Sequence, residues 1–162
     1  MSEINPIRQT DNEARALARS LLDEARFGAL GVIDPEKGAP SVTRIAIGTS
    51  PLGTPVSLIS DLSSHTTALR AQSRCSLLLG EPGDKGDPLT HPRITLDCDA
   101  KFLPKGAEGY DAMRDHYLLT HPKAKLYIDF SDFSFVEFSV LDARLNGGFG
   151  KAFRLTPRDL EV

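Results

Sequence analysis

Arg93 to Leu103 alternates without a break. Ile94, Leu96, Cys98, Ala100 and Phe102 fall on one side, and Arg93, Thr95, Asp97, Asp99 and Lys101 on the other. A period of two sustained this long marks a strand with one face in a core and the other in water. Such a strand must satisfy both of its edges, so the chain needs more strands around it. Short apolar runs supply them at Phe27–Ile33, Ser41–Thr49, Pro55–Ser60, Cys75–Gly80, Phe133–Val140 with an extension to Leu145, and Lys151–Leu155. Turn residues join several of these as hairpins, at Asp34–Gly38 and Asn146–Gly150 for example. Hairpin-linked strands do not build a doubly wound parallel sheet. The expected fold is mainly β with flanking helices, an antiparallel barrel whose closure removes exposed edges.

Three helical stretches fit around that barrel. Thr10 and Glu13 have capping-box spacing, and Ala14, Leu17, Ala18, Leu21, Leu22 and Ala25 recur at steps of three and four. Thr66–Gln72 is a short second helix. Ala107–Leu119 is a third, burying Tyr110, Met113 and Tyr117 and ended by His121-Pro122. Lys123–Ile128 reads as a short helical or irregular link, and Thr156-Pro157 as a cap and first turn. In Phe133–Val140 both faces carry aromatics, which points to a strand with core on one side and a partner on the other. No repeat or long linker divides the chain, so residues 1–162 are expected to form one domain.

Composition narrows the function. A net charge of −3 gives no general attraction to nucleic acid or to a membrane surface, so an anion site has to come from local geometry. No apolar run approaches the roughly 20 residues that span a bilayer, and the acidic N-terminal stretch does not read as a secretion signal. Cys75 and Cys98 are the only cysteines, both in apolar segments. They are expected to be buried free thiols, consistent with a cytoplasmic protein. His65, His91, His116 and His121 lack metal-ligand spacing, so no metal site is expected.

The stretch most suited to a ligand is Ser57 to Arg70. A strand breaks there into Ser60-Asp61-Leu62-Ser63-Ser64-His65-Thr66 before a helix. Hydroxyls and free N–H groups at such a turn suit an anion, and equally serve as helix caps. Arg44, in the apolar run Thr43-Arg44-Ile45-Ala46, is costly unless it reaches water or a fixed anion. Arg74, just before the strand at Cys75, is a third candidate. The Gly147–Gly150 turn either lets backbone approach a ring or is a plain hairpin.

These pieces resemble, in order and spacing, the split-barrel flavoproteins of the pyridoxamine 5′-phosphate oxidase-like superfamily, and most of all its haem-utilisation branch. The resemblance rests on Phe27-Gly28-Ala29-Leu30, Ser41–Ala46, Ser60–Leu69, Arg74–Gly80, Asp87–Leu96, His121–Ala124 and Gly147–Ala152. It implies a six-stranded antiparallel split barrel that forms a homodimer and holds FMN at the subunit interface. It places Arg44 at the phosphate, the Ile45 and Ala46 backbone along the flavin ring, Ser60 near the ring or ribityl chain, and Ser64, His65 and Thr66 in the phosphate loop. The implied function is an FMN-dependent oxidoreductase acting on a small-molecule substrate, with haem as a candidate. No side chain is assigned as acid or base. One alternative is a non-catalytic module binding haem or another ligand. Another is pyridoxamine 5′-phosphate oxidase itself, from which the chain departs: it has no tryptophan, and His65-Thr66 stand where the oxidase has a basic pair. The resemblance to the haem branch carries the expectation of a further C-terminal domain or tail that often contributes to haem binding, and none of the residues quoted for it belongs to one.

Overall fold

The strand that organises the sequence also organises the structure. A computed structural model describes residues 3–162. In chain order its strands are β1 (Ile7–Arg8), β2 (Phe27–Ile33), β3 (Pro40–Ala46), β4 (Gly48–Thr49), β5 (Pro55–Ser60), β6 (Arg74–Leu79), β7 (Arg93–Leu103), β8 (Phe133–Asn146) and β9 (Ala152–Leu155). The helices are α1 (Asn12–Glu24), α2 (Ser64–Ala71) and α3 (Tyr110–Thr120), with 3-10 turns at Pro88–Thr90, Pro122–Leu126 and Pro157–Leu160. The hydrogen-bonded order is β1-β9-β8-β7-β6-β2-β3, and β5 joins β8. The mainly-β class with flanking helices is as expected. The six-stranded count is not: the described residues form nine strands, of which β1 and β4 have only two residues each, and β1 runs parallel to β9. The expected strand over Ser41–Thr49 divides because Ile47 turns its N–H to the Arg26 carbonyl (2.9 Å) and buries its side chain.

β8 explains why the barrel splits. One edge pairs with β7 along its length. The other pairs with β5 over Phe133–Glu137 and with β9 over Ala143–Asn146. A bulge shifts the register, so that Asp97 faces Asp142 while Cys98 faces Val140, leaving Leu141 as the extra residue. The inward set changes parity there, from Val136, Phe138 and Val140 to Ala143 and Leu145. The main core lies inside the sheet, and Ala14, Ala18 and Leu22 of α1 close one end of it.

The outer face of β8 is covered at Phe135 by the chain itself. Phe135 is buried against Tyr110 and Tyr117 of α3, with ring centroids 5.5 and 5.2 Å apart. Val56 and Leu58 of β5 and Ile128 complete this second core. With Ile59 and Ser57 buried on the other side, β5 is covered on both faces.

Two local expectations need correction. Asp11, not Thr10, caps α1: its carboxylate accepts from the Ala14 N–H at 2.8 Å, while the Thr10 hydroxyl donates to the Arg154 carbonyl. The Thr10–Glu13 capping box therefore does not form. A capping box forms instead at Thr156 and Asp159, and Arg15 of α1 pairs with Asp159 at 2.8 Å. The Thr156 N–H, then Arg15, hold the Asp159 carboxyl below its usual range. A carboxyl whose pKa falls on folding stabilises above its unfolded pKa, and that contribution is lost as pH falls through the folded value. Acid is therefore expected to loosen the clasp between α1 and the C-terminal turn. Urea midpoints between about pH 5 and pH 3 should fall less steeply in Asp159→Asn than in the parent; equal slopes would contradict this.

Candidate functional site

β3 sits at one end of the sheet and pairs only with β2, while β5 pairs with β8 and, at Pro55 and Val56, with β4. Their remaining edges carry no ladder partner among the described residues. Arg44, Ile45 and Ala46 from β3 and Leu58, Ile59 and Ser60 from β5 line one cleft of about 300 Å³. Unladdered edges present N–H and C=O groups to whatever enters. Tyr127 and Phe133, whose rings lie 5.0 Å apart, add an aromatic wall, and Ser63 and His65 close the end at α2.

The polar groups differ in how free they are. The Arg44 guanidinium lies 5.5 Å from the Phe27 ring centroid and has no carboxylate within 4.0 Å among the described residues. His65 Nδ1 shares a hydrogen bond with Thr43 Oγ1 at 3.2 Å. Burial lowers its pKa, so at neutral pH the ring is neutral. In the tautomer whose Nδ1–H donates to Thr43, Nε2 keeps a lone pair. The N–H groups of Ser64 and His65 open α2 and have no acceptor in the helix. The Ser60 hydroxyl is committed: it donates to Asp132 at 2.6 Å and accepts from the Leu62 N–H.

The structure thus brings Arg44, Ile45, Ala46, Ser60 and His65 to one cleft and leaves the others outside it. Ser64 lines a neighbouring recess of about 250 Å³ with Asp34 and Glu36, which His65 also borders. Two carboxylates there oppose a phosphate. Thr66 is 1% exposed, and its hydroxyl donates to the Ser60 carbonyl at 2.6 Å, tying α2 to the end of β5. Arg74 lines a different cavity, with Cys75 and Asp97. Sequence reasoning missed Tyr127, Phe133 and Asp132, which reach the site only because the link after α3 folds back against β5. The aromatic spacing Tyr127, Phe130, Phe133 was the available signal. Cys75 and Cys98 are opposite each other, buried and free; burial pushes the Cys75 thiol up to about 12 and raises that of Cys98 as well. Both are therefore poor nucleophiles. No helix among the described residues is long and apolar enough to cross a membrane.

The family model described as CREG, beta-barrel matches residues 9–160. The chloroplastic heme oxygenase HOZ of Arabidopsis thaliana is 34% identical over 137 residues, 83% of this chain and 40% of that protein. A heme binding protein from Mycobacterium smegmatis superposes with a TM-score of 0.82 at 28% identity, covering 96% of this chain and 61% of that one. A Clostridium acetobutylicum protein of the pyridoxinephosphate oxidase family shares the fold at 14% identity, with a TM-score of 0.68, covering 93% of this chain and 99% of that one. The chain spans less than two thirds of the first two proteins' lengths.

Proposed function

The chain belongs to the CREG beta-barrel family, and on that premise we propose that it binds haem in the cleft between β3 and β5, as a protein of haem utilisation. The observation that carries this reading is His65. It is a neutral imidazole at the mouth of an apolar, aromatic-walled cleft, and Thr43 holds one of its nitrogens. Iron takes a neutral imidazole whose other N–H is oriented by a neighbour. Burial lowers the His65 pKa and so favours the neutral ring that a metal takes. Arg44 is the uncommitted cation for a carboxylate on the ring edge. Tyr127, Phe133 and Leu58 supply apolar contact. Bound haem brings the redox and oxygen chemistry of its iron, and the chain's share is to seat it and limit water. The names of the Arabidopsis and Mycobacterium relatives support the same reading.

A second reading, FMN as the cofactor of an oxidoreductase, is favoured by the open edges of β3 and β5 and by the free N–H groups of Ser64 and His65. It is the weaker one on charge. A phosphate dianion would find one uncommitted guanidinium, a neutral His65, and Asp34 and Glu36 close by. Either ligand would be covered by a second copy in a homodimer. The outward faces of β2, β3 and β6 carry exposed Phe27, Val42 and Leu78 around Ala29, Gly31 and Ala46, beside Arg44.

Titrating the purified protein with haemin should produce a saturable Soret shift. Added FMN, followed near ~450 nm, should bind weakly or not at all. Adding a reductant in air then separates retention from breakdown. Tight FMN binding with no response to haemin would reverse the order of the two readings. Arg44→Ala is expected to weaken haem binding by about 1.5–3 kcal/mol, the range for a hydrogen bond to a charged group, with the unfolding midpoint unchanged. Equal affinity in variant and parent would remove Arg44 from the site.

A further inference from the structure

Away from the cleft, the outward faces of β7, β8 and β9 carry three arginines around a recess of about 320 Å³. Arg144 stands directly opposite Arg154 on one side and Thr95 on the other, and Arg93 stands opposite Asn146. Like charges facing each other on adjacent strands destabilise a sheet. No carboxylate lines the recess among the described residues, although the chain as a whole is acidic at −3. Asp97 and Asp142 lie one step further along the strands, facing each other. They hydrogen-bond the arginines at long distances: Arg144 Nη2 donates to Asp97 at 3.3 Å, and Arg154 donates through Nε and Nη2 to Asp142 at 3.3 and 3.2 Å, with all four side chains partly exposed. Tight pairs elsewhere in the chain, Arg19–Asp23 at 2.7 Å and Arg114–Asp129 at 2.8 Å, have the length of a charge-assisted bond. Arg93 has no acidic partner among the described residues. It donates to the Leu89 carbonyl at 2.9 Å, which holds its side chain in place.

We propose that this recess is a second ligand site, for a small multivalent oxyanion. Arg93, Arg144 and Arg154 carry the charge, and Thr95 and Asn146 add hydroxyl and amide donors. Neighbouring strands are about 4.8 Å apart, so the three forks are spaced for an anion with several oxygens and not for a single carboxylate. Exposed ion pairs as long as these contribute little, so recruiting Arg144 and Arg154 to a ligand sacrifices little. Phosphate esters and polycarboxylates share this chemistry, and the site accepts either source.

The test uses the full chain at low salt with pyrophosphate and citrate as probes, followed by ¹⁵N spectra of backbone amides and arginine Nε–H groups. The expected result is saturable binding of at least one probe, with shifts at Arg93, Thr95, Arg144, Asn146 and Arg154. Arg144→Gln with Arg154→Gln should weaken it by at least about tenfold, the effect of losing hydrogen bonds to a charged group. Arg74→Gln, on a separate cavity, should leave it unchanged. Saturation by pyrophosphate alone points to a phosphoryl ligand, and by citrate alone to a polycarboxylate. No saturation by either, shifts confined to Arg44, Ser64 and His65, or equal binding by the parent and the double variant would overturn the proposal. Because the parent spectra locate the probe directly, the proposal stays testable even if the double variant fails to fold.

Discussion

If His65 holds the iron as proposed, His65→Ala is expected to lower haem affinity by about a hundredfold and to remove the spectral signature of imidazole ligation, while the unfolding midpoint stays near that of the parent. His65 Nδ1 is held by Thr43 Oγ1 at 3.2 Å, and the ring borders the cleft. Removing it deletes the one side chain there able to bind iron through a neutral nitrogen. Thr43→Val is the graded companion. It keeps the imidazole but frees its orientation, and should cost about tenfold, the effect of losing a partner that orients a ligand. Free imidazole added to His65→Ala should restore the ligated spectrum, which a loss of folding would not allow. An unchanged Soret band in His65→Ala would mean that the iron is held by another group.

Gly80→Ala should destabilise the fold by about 3 kcal/mol or more, combining backbone strain with overpacking. Gly80 directly follows β6 at φ +104°, a conformation that side chains resist. An added Cβ would lie 2.6 Å from the Pro92 carbonyl oxygen and 2.9 Å from the Arg93 Cα. Both are backbone atoms next to the strand that centres the sheet, so no rotamer change relieves the contact. Gly86 is the control. Its φ is +80°, yet a Cβ there would meet nothing within 4 Å, so Gly86→Ala should cost only the strain, about 1 kcal/mol. Urea unfolding of the two variants measures the difference, and equal losses would contradict the steric part of the account.

The sequence made the sheet legible where one face is wet and the other dry. The alternation of β7 is visible in the residues themselves. The switch in β8 is not, because Leu141 is one more apolar residue in an apolar run and only the register against Asp97 and Cys98 reveals the bulge. The outer face of Phe135 pointed to a partner, but tertiary packing supplied α3 from the same chain. At the site, Arg44 stood out because a guanidinium in an apolar strand must go somewhere. Thr66 looked equivalent to its neighbours in the Ser/Thr cluster, and only the way α2 begins turns its hydroxyl inward to the Ser60 carbonyl. Asp132, Tyr127 and Phe133 join the cleft through the path of the chain after α3; the spacing of Tyr127, Phe130 and Phe133 marks the aromatics as a group but does not encode that path. Ser64 and Arg74 fell outside it for the same reason: loop direction decides which cavity a side chain borders.

The central claim is that the two unladdered edges of β3 and β5, with His65 at their end, form the seat of the cofactor. Haemin is paramagnetic, so amide signals near the iron broaden when it binds. The ¹⁵N spectrum of the chain with one equivalent of haemin should lose the signals of residues 44–46, 58–60 and 63–65 first. Broadening centred on the Arg93, Arg144 and Arg154 recess, or on α3, with the cleft signals intact, would contradict it.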